Sequence, residues 1–283
     1  MLQAQWNRGN FVCVGLDSEY NKIPSLIKIR CSSLTPHAIT AFNQAIVDAT
    51  HDLVCAYKPN IAFYEAYGTD GITALRDTIM DIHTIAPDVP VILDAKRADI
   101  GNTNIGYIQA AFEYFQADAV TVNPYFGAEA LKPFLDQKDK GIIVVCRTSN
   151  PGAGEFQNLD VSGDIVPGGY MPLYQYVAYR VTSKWNTNNN CALVVGATCP
   201  DELRTVRKTV GDMTLLIPGI GEQGGDVEQT VNAGQNSHGQ GIIINSARKI
   251  IFASSGDNFA DAARQETVKL RDLINQHRKV DQP

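Results

Sequence analysis

Short apolar runs rich in β-branched residues alternate along the chain with longer amphipathic segments. Continuous runs of this kind are typical of strands that are buried on both faces of a parallel sheet. They predict eight strands, over 11–17, 53–59, 90–96, 119–124, 141–148, 191–197, 214–220 and 241–247. The amphipathic segments predict eight helices, over 37–51, 71–86, 102–116, 126–138, 172–186, 200–210, 225–233 and 258–276.

Eight strands that alternate with eight helices indicate a (β/α)8 TIM barrel, an α/β fold with a parallel eight-stranded barrel and outer helices. The alternative is an open doubly wound sheet, which usually stops at about five to seven strands. No repeat and no Ser/Gly-rich linker divides the sequence, so we expect a single domain over 1–283. Two long connections, 18–36 and 149–171, follow strands, which on a barrel places them on the face that carries function.

The composition is that of a globular chain, with 44% hydrophobic and 19% charged residues. The longest apolar runs, such as 142–146, fall far short of the roughly 20 residues of a membrane-spanning helix. The N-terminal residues also lack the apolar stretch of a secretory signal, so we expect a cytoplasmic protein with no membrane contact. A net charge of −6 argues against nucleic-acid binding, which rests on basic surfaces. The six cysteines have no C-x-x-C spacing, so we expect reduced thiols rather than disulfides or a metal site.

Charged side chains stand at the carboxyl ends of predicted strands, where an apolar barrel needs none. Lys58 ends the second strand, Asp94 and Lys96 end the third, and Asp99 follows three residues later. Strand alternation predicts that Asp94 and Lys96 share one face, with Lys58 at a similar height on the neighbouring strand. Opposite charges at close range stay ionised despite burial, because each offsets the desolvation of its neighbour. The four residues are a candidate catalytic cluster, and the structural alternative is a set of ion pairs that holds the barrel mouth closed.

The sequence around this cluster resembles a known family. VILDAKRADIGNT at 91–103 is similar to the signature of orotidine 5′-phosphate decarboxylase, in the longer of its two bacterial branches. The other segments that resemble the family are GLD at 15–17, YKPNIAFYE at 57–65, CRTSNPGAGEFQ at 146–157, IPGIGEQGGD at 217–226 and INSAR at 244–248. The resemblance implies decarboxylation of orotidine 5′-monophosphate to UMP and CO₂, the last step of de novo pyrimidine nucleotide synthesis, with no cofactor and no metal.

The resemblance also assigns roles to the charged cluster. Lys96 resembles the lysine that protonates C6 of the pyrimidine, and Lys58 and Asp94 resemble its flanking charges. Asp94 would lie near the departing carboxylate. Asp99 and Thr103 resemble residues that reach into the partner subunit's site, which implies a homodimer with both residues contributed across the interface.

Further matches concern the ribose and the base. Asp17 and Lys58 correspond to ribose contacts, and Ser149 corresponds to a hydrogen bond at the pyrimidine edge. Both kinds of contact are made by short polar side chains or by lysine at strand ends. The resemblance therefore places the nucleoside over the carboxyl ends of the strands.

The phosphate is expected at the end of the eighth strand. Arg248 resembles the family's phosphate arginine, and a guanidinium can bind a phosphate through two nitrogens. Pro218 and Gln223 belong to a glycine-rich loop, whose backbone N–H groups and Gln223 side chain would cover the phosphate. The other branch of the family often has a cation directly after PGI, where this chain has Gly221, so the division of the grip between charge and backbone stays open.

Elementary chemistry favours a lysine at the reacting carbon. Loss of CO₂ without an electron sink leaves a vinyl-type carbanion at C6, and a cation aimed at that carbon stabilises it. A lysine can then deliver its proton as a general acid. An arginine cannot, because its pKa lies above about 12.

Three other functions compete with this interpretation. A sugar-phosphate decarboxylase or aldolase of the same barrel superfamily uses Mg²⁺, held by an acid on the second strand where this chain has Lys58. A Schiff-base aldolase would use Lys58 or Lys96 as its nucleophile. A non-catalytic protein that binds pyrimidine nucleotides is the non-enzyme alternative.

Overall fold

The computed structural model describes residues 1–32, 34–163, 166–220 and 224–279. Its strands are β1 (Val12–Gly15), β2 (Val54–Lys58), β3 (Ile92–Arg97), β4 (Ala119–Val122), β5 (Gly141–Arg147), β6 (Asp160–Ser162), β7 (Tyr170–Pro172), β8 (Cys191–Val195), β9 (Leu215–Pro218) and β10 (Ile242–Ser246). Eight of them form one sheet in the order β2-β1-β10-β9-β8-β5-β4-β3. These parallel strands form a nearly closed barrel surrounded by helices, which confirms the predicted (β/α)8 fold.

The described α-helices are α1 (Leu2–Asn7), α2 (Ser25–Arg30), α3 (Thr35–Thr50), α4 (Ile61–Glu65), α5 (Gly68–Ile85), α6 (Gly101–Ile108), α7 (Gly127–Leu135), α8 (Gly154–Gln157), α9 (Leu173–Arg180), α10 (Pro200–Val210), α11 (Val227–Gly234), α12 (Arg248–Ile251) and α13 (Phe259–His277). Eight of them lie on the predicted amphipathic segments, and the short helices α1, α2, α4, α8 and α12 lie outside those segments. In α10, Leu203, Val206 and Val210 are buried at helical spacing. None of the helices in the described ranges combines the length and apolar character needed to cross a membrane.

The long connection after β5 has structure that the sequence did not predict. It contains the short helix α8 and an antiparallel hairpin of β6 and β7. Segments this short carry too few residues for a periodic pattern to register. Two predicted helices also change character, because α6 and α9 continue as π-helical turns over Gln109–Tyr114 and Val181–Trp185.

Contacts group the residues into two compact units. The first comprises Met1–Ala95, Gln109–Val120 and Asn245–Gln276. Within it, Phe42 of α3 stacks on Phe252 and Phe259, with ring centroids 5.6 Å and 5.2 Å away. This aromatic contact fixes the start of α13 against α3. The expectation of a single domain over 1–283 stays a prediction.

The second unit comprises Lys96–Ile108, Thr121–Ile244 and His277–Pro283. Inside it, the Arg207 guanidinium of α10 donates to four backbone carbonyls at 2.5 to 2.8 Å, those of Gly211, Met213, Gly234 and Gly241. The Gly211 carbonyl follows α10, and the Met213 carbonyl precedes β9. The Gly234 carbonyl ends α11, and the Gly241 carbonyl precedes β10. Burial lowers the pKa of Arg207 to about 10, so the side chain stays charged at neutral pH. One cation therefore joins four segments at the amino ends of two strands.

Candidate active site

A buried ion pair lies at the end of β2 in the first unit. The Lys58 ammonium donates to a carboxylate oxygen of Asp94 at 2.9 Å, and the residues are 3% and 8% exposed. The backbone sets this pairing, because the Asp94 N–H donates to the Pro59 carbonyl at 3.0 Å. Burial alone would lower the pKa of Lys58, but the attraction of Asp94 and Asp17 outweighs it and raises that pKa. Lys58 is therefore held as a cation.

Asp17 joins the same group from the neighbouring strand. β1 pairs with β2 so that Gly15 lies opposite Lys58, and the Leu16 N–H donates to the Lys58 carbonyl at 3.1 Å. Asp17 follows directly and is half-buried. The structure thus groups Asp17 with Lys58 and Asp94. The sequence analysis grouped Lys58 and Asp94 with Lys96 and Asp99, and gave Asp17 only as a ribose contact implied by the resemblance.

A buried polar network, which the sequence analysis missed, holds the backbone on both sides of Asp17. The Tyr64 hydroxyl donates to the Leu16 carbonyl at 2.8 Å, and the Ser18 hydroxyl donates to the Asn43 Oδ1 at 2.5 Å. The amide nitrogen of Asn43 in turn donates to the Tyr64 hydroxyl at 3.0 Å. Asn43 was detectable as a polar residue on the apolar face of α3, but its partners lie 21 or more residues away.

Lys96 occupies an unusual backbone conformation in β3. Its φ is +47°, in the left-handed region that costs a residue with a side chain about 1–2 kcal/mol. Its N–H donates to the Thr121 Oγ1 at 2.9 Å, and its side chain is exposed. The expectation that Asp94 and Lys96 share a face assumed an extended backbone. That assumption is wrong at Lys96, so the alternation rule does not set the direction of its side chain.

Asp99 and Thr103 lie where β3 gives way to α6 in the second unit. The buried Asn104 holds this turn, because its amide nitrogen donates to the Asp99 carbonyl at 2.6 Å and to the Ala130 carbonyl at 2.7 Å. Its amide oxygen accepts the Asp99 N–H at 2.9 Å. Thr103 is exposed on α6. Asn104 is therefore a second residue of structural weight near the site that the sequence analysis did not single out.

Ser149 follows β5, and Pro218 is the last residue of β9. Both residues belong to the second unit. Thr198 donates from its hydroxyl to the Ser149 carbonyl at 3.3 Å. Gly196 lies so close that an added Cβ would stand 2.7 Å from the Ser149 Cβ. The Pro218 carbonyl accepts the Ala197 N–H at 2.8 Å. The loops after β5, β8 and β9 are therefore in direct backbone contact.

Arg248 begins α12 in the first unit and is exposed. The residue before it, Ala247, lies against β1, because an added Cβ on Gly15 would come within 2.6 Å of the Ala247 Cβ. Only a glycine in β1 allows this approach. Gln223, the other expected phosphate contact, lies outside the described residues.

Comparison with known proteins identifies the family. The sequence profile of the "Orotidine 5'-phosphate decarboxylase / HUMPS family" matches residues 10–263. An orotidine 5′-phosphate decarboxylase of Cellvibrio japonicus is 50% identical over 275 residues, which cover 97% of this chain and 96% of that protein. A protein of the same name from Ralstonia nicotianae is 50% identical over 278 residues, covering 98% of this chain and 97% of that protein.

Solved structures agree with the sequence relatives. The structure of Leishmania donovani OMP decarboxylase matches with a TM-score of 0.80 at 33% identity and covers 97% of each chain. That of Leishmania donovani UMP synthase matches with a TM-score of 0.84 at 35% identity, covering 98% of this chain but 55% of that one. With a family profile over most of its length and relatives at half identity throughout, the chain belongs to the orotidine 5′-phosphate decarboxylase / HUMPS family.

Proposed function

We propose that this chain removes CO₂ from orotidine 5′-monophosphate and releases UMP, as the last step of de novo pyrimidine nucleotide synthesis in the cytoplasm. The observation that carries the proposal is the buried pair of Lys58 and Asp94. These residues stand in the two segments, 57–65 and 91–103, that carry much of the resemblance to the decarboxylases. A buried ion pair adds little to stability by itself, so its position at the carboxyl ends of barrel strands favours a catalytic role.

The reaction assigns Lys96 to the carbon that changes. The bond between C6 and the carboxylate breaks, CO₂ leaves, and the electron pair remains on C6. The Lys96 ammonium stabilises that charge and then transfers its proton to C6, which gives UMP and a neutral amine that solvent reprotonates. Asp94 lies beside the substrate carboxylate, where like charges destabilise the bound substrate more than the transition state.

Lys58 and Asp17 serve the ribose in this scheme. The raised pKa of Lys58 keeps its ammonium charged between Asp94 and Asp17, so it can donate to a ribose oxygen throughout the reaction. Asp17 is an acceptor for a ribose hydroxyl, and the network around Leu16 and Ser18 keeps its backbone in place. Both residues act by holding the nucleotide still while the bond at C6 breaks.

The base and the phosphate have separate partners. Ser149 forms a hydrogen bond with the pyrimidine edge, and the Arg248 guanidinium binds the phosphate. Pro218 and Gln223 are further proposed contacts for the phosphate. Binding energy gained at this remote group is used to exclude water from the site, which raises the rate at the base.

A homodimer completes the proposal, with Asp99 and Thr103 placed in the partner's site. Ile100 and Ile105 support it, because they stand beside these residues and are 60% and 51% exposed, as expected of a surface that a second copy covers. Mixing Lys96→Ala protein with Asp99→Asn protein tests the shared site. Random reassociation gives mixed dimers with one intact site each, so activity returns to about a quarter of that of the unmodified protein. No recovery on mixing would mean that each subunit builds its site alone.

The central test compares two substitutions of Lys96. Chelator-treated protein is mixed with orotidine 5′-monophosphate, and its ultraviolet absorbance is followed as UMP forms. Lys96→Arg is expected to abolish turnover as completely as Lys96→Ala, because arginine keeps the charge but cannot release a proton. Substantial turnover by Lys96→Arg would exclude the proton-donor role, and complete dependence on added metal would favour the Mg²⁺-dependent alternative.

A further inference from the structure

A side chain from the long connection after β5 hydrogen-bonds the end of that same strand. Gln157, the last residue of α8, accepts the Thr148 N–H on its Oε1 at 2.9 Å and donates from its Nε2 to the Thr148 hydroxyl at 2.9 Å. The same Oε1 accepts a hydrogen bond from the buried Arg147 guanidinium at 3.2 Å. One amide therefore binds both the backbone and the side chain of the residue directly before Ser149.

The opposite side of Ser149 is held by the end of β8. The Thr198 hydroxyl donates to the Ser149 carbonyl, and the Gly196 N–H donates to the Arg147 carbonyl at 2.8 Å. An added Cβ on Gly196 would stand 2.9 Å from the Ser149 Cα. Contacts on both sides therefore restrain Ser149, with Gln157 bound to the residue before it and the end of β8 packed against its other side.

We propose that Gln157 is a positioning residue that fixes Ser149 for the pyrimidine edge, and that 149–157 loops out to bring it back onto β5. The inference rests on the proposed function. Gln157 acts through Ser149 and contacts no substrate. A hydroxyl contributes to binding and rate only when it is held within about 0.5 Å of its productive place. Ser149 lies beyond the end of β5, so the contacts on either side of it help to set that place.

A double-mutant cycle separates positioning from general packing. Gln157→Leu keeps the size of the side chain and removes both hydrogen-bonding groups. We expect it to lower kcat/KM about tenfold in the unmodified protein but less than about twofold in a Ser149→Ala background, because coupled residues are non-additive. Gln137→Leu, the same change at a glutamine whose side chain donates to the Pro133 carbonyl of its own helix region, is the matched control and leaves kcat/KM unchanged.

Two inhibitors give a readout that a merely structural effect would not produce. Gln157→Leu weakens inhibition by UMP, which carries the pyrimidine, and leaves inhibition by ribose 5-phosphate unchanged. Gln157→Glu keeps the acceptor for the Thr148 N–H beside Arg147, so it retains kcat/KM within about threefold. If Gln157→Leu fails to fold, Gln157→Met replaces it in the cycle, because it keeps the length of the side chain and lacks the amide.

The proposal is overturned if Gln157→Leu has no effect, if its cost is the same in the Ser149→Ala background, or if both inhibitors weaken together. Failure of the proposed function has a different signature. In that case, the unmodified protein does not convert orotidine 5′-monophosphate at all, whatever stands at position 157.

Discussion

Lys58 and Arg207 are both cations inside the protein, but their charges are balanced by different kinds of partner. Lys58, at the carboxyl end of β2, is paired with the Asp94 carboxylate, and its pKa is raised because the nearby acids outweigh burial. Arg207 binds only backbone carbonyls at the amino ends of β9 and β10 among its described contacts, and burial lowers its pKa to about 10. Full charges balance Lys58, whereas the hydrogen-bond partners of Arg207 are partial charges, with a further attraction from the Asp212 carboxylate.

This difference between the two cations indicates that the carboxyl ends of the strands serve function and the amino ends serve stability. A buried pair of full charges costs desolvation that its attraction barely repays, so the carboxyl ends of the strands gain little stability from Lys58. The Arg207 guanidinium hydrogen-bonds four carbonyls, and three of these bonds are part-buried. Because unpaired polar groups are costly there, the amino ends gain stability from it. On a barrel the carboxyl ends carry the chemistry and the amino ends carry stability.

The largest expected effect comes from breaking the pair at the carboxyl ends. Asp94→Asn leaves the Lys58 charge buried beside a neutral amide. We expect the free energy of unfolding to fall by about 3 kcal/mol or more and turnover to be lost, as measured by denaturant unfolding and by UMP formation. Replacing both partners with apolar residues, as Lys58→Met with Asp94→Leu, restores most of the stability and none of the turnover.

A surface pair provides the control for this prediction. Lys132 and Asp136 lie one turn apart on α7 and its end, at 2.7 Å, with side chains 68% and 56% exposed. Asp136→Asn is expected to change the free energy of unfolding by less than about 0.5 kcal/mol, because solvent screens such pairs. Equal losses at Asp94 and Asp136 would contradict the contrast between the two ends of the barrel.

A smaller effect, on stability alone, is expected at the amino ends. Arg207→Met removes the donor to four carbonyls, and the free energy of unfolding should fall by about 2 kcal/mol. The value of kcat/KM per folded molecule is expected to stay within about twofold of the unmodified protein, because no reacting group is touched. Arg207→Lys recovers only part of the loss, since an ammonium lacks the planar fork. A large fall in kcat/KM would show that the two ends are not independent.

The smallest effect is expected at Lys96, where strain lowers stability at the carboxyl ends. Lys96→Gly and Lys96→Ala both abolish turnover, but the glycine variant should be more stable by about 0.5–1 kcal/mol, because glycine adopts positive φ without strain. Gln116 has a φ of +57° and is the matched control. Gln116→Gly is expected to gain stability relative to Gln116→Ala and to keep full turnover. An alanine variant at position 96 as stable as the glycine variant would contradict the assignment of strain.

Most of the fold could be predicted because its barrel strands and longer helices follow local patterns of apolar and polar residues. All eight barrel strands were located from continuous apolar runs, and the helix α10 was predicted with both of its ends. The hairpin of β6 and β7 was missed because each strand has three residues, too few for alternation to be recognised. Seven of the eight barrel strands were predicted one or two residues too long at the carboxyl end, since the residues there belong to the loops and not to the sheet, and β3 was predicted one residue too short.

The candidate site was predictable in part. Lys58 and Asp94 could be paired from their places at the ends of neighbouring strands, and the structure brings them to 2.9 Å. The left-handed backbone at Lys96 could not be foreseen, because a lysine rarely adopts positive φ. The bonds of Asn43 and Gln157 were also out of reach, since a side-chain amide gives no sign in the sequence of which distant groups it will bind.

The close approach of Gly15 to Ala247 couples two of the proposed substrate contacts. Asp17 lies two residues after Gly15, and Arg248 directly follows Ala247. Because a Cβ at position 15 would stand 2.6 Å from the Ala247 Cβ, any larger residue there must push the start of α12 away from β1. The spacing of the proposed ribose acceptor and the proposed phosphate cation therefore depends on the absence of one methyl group.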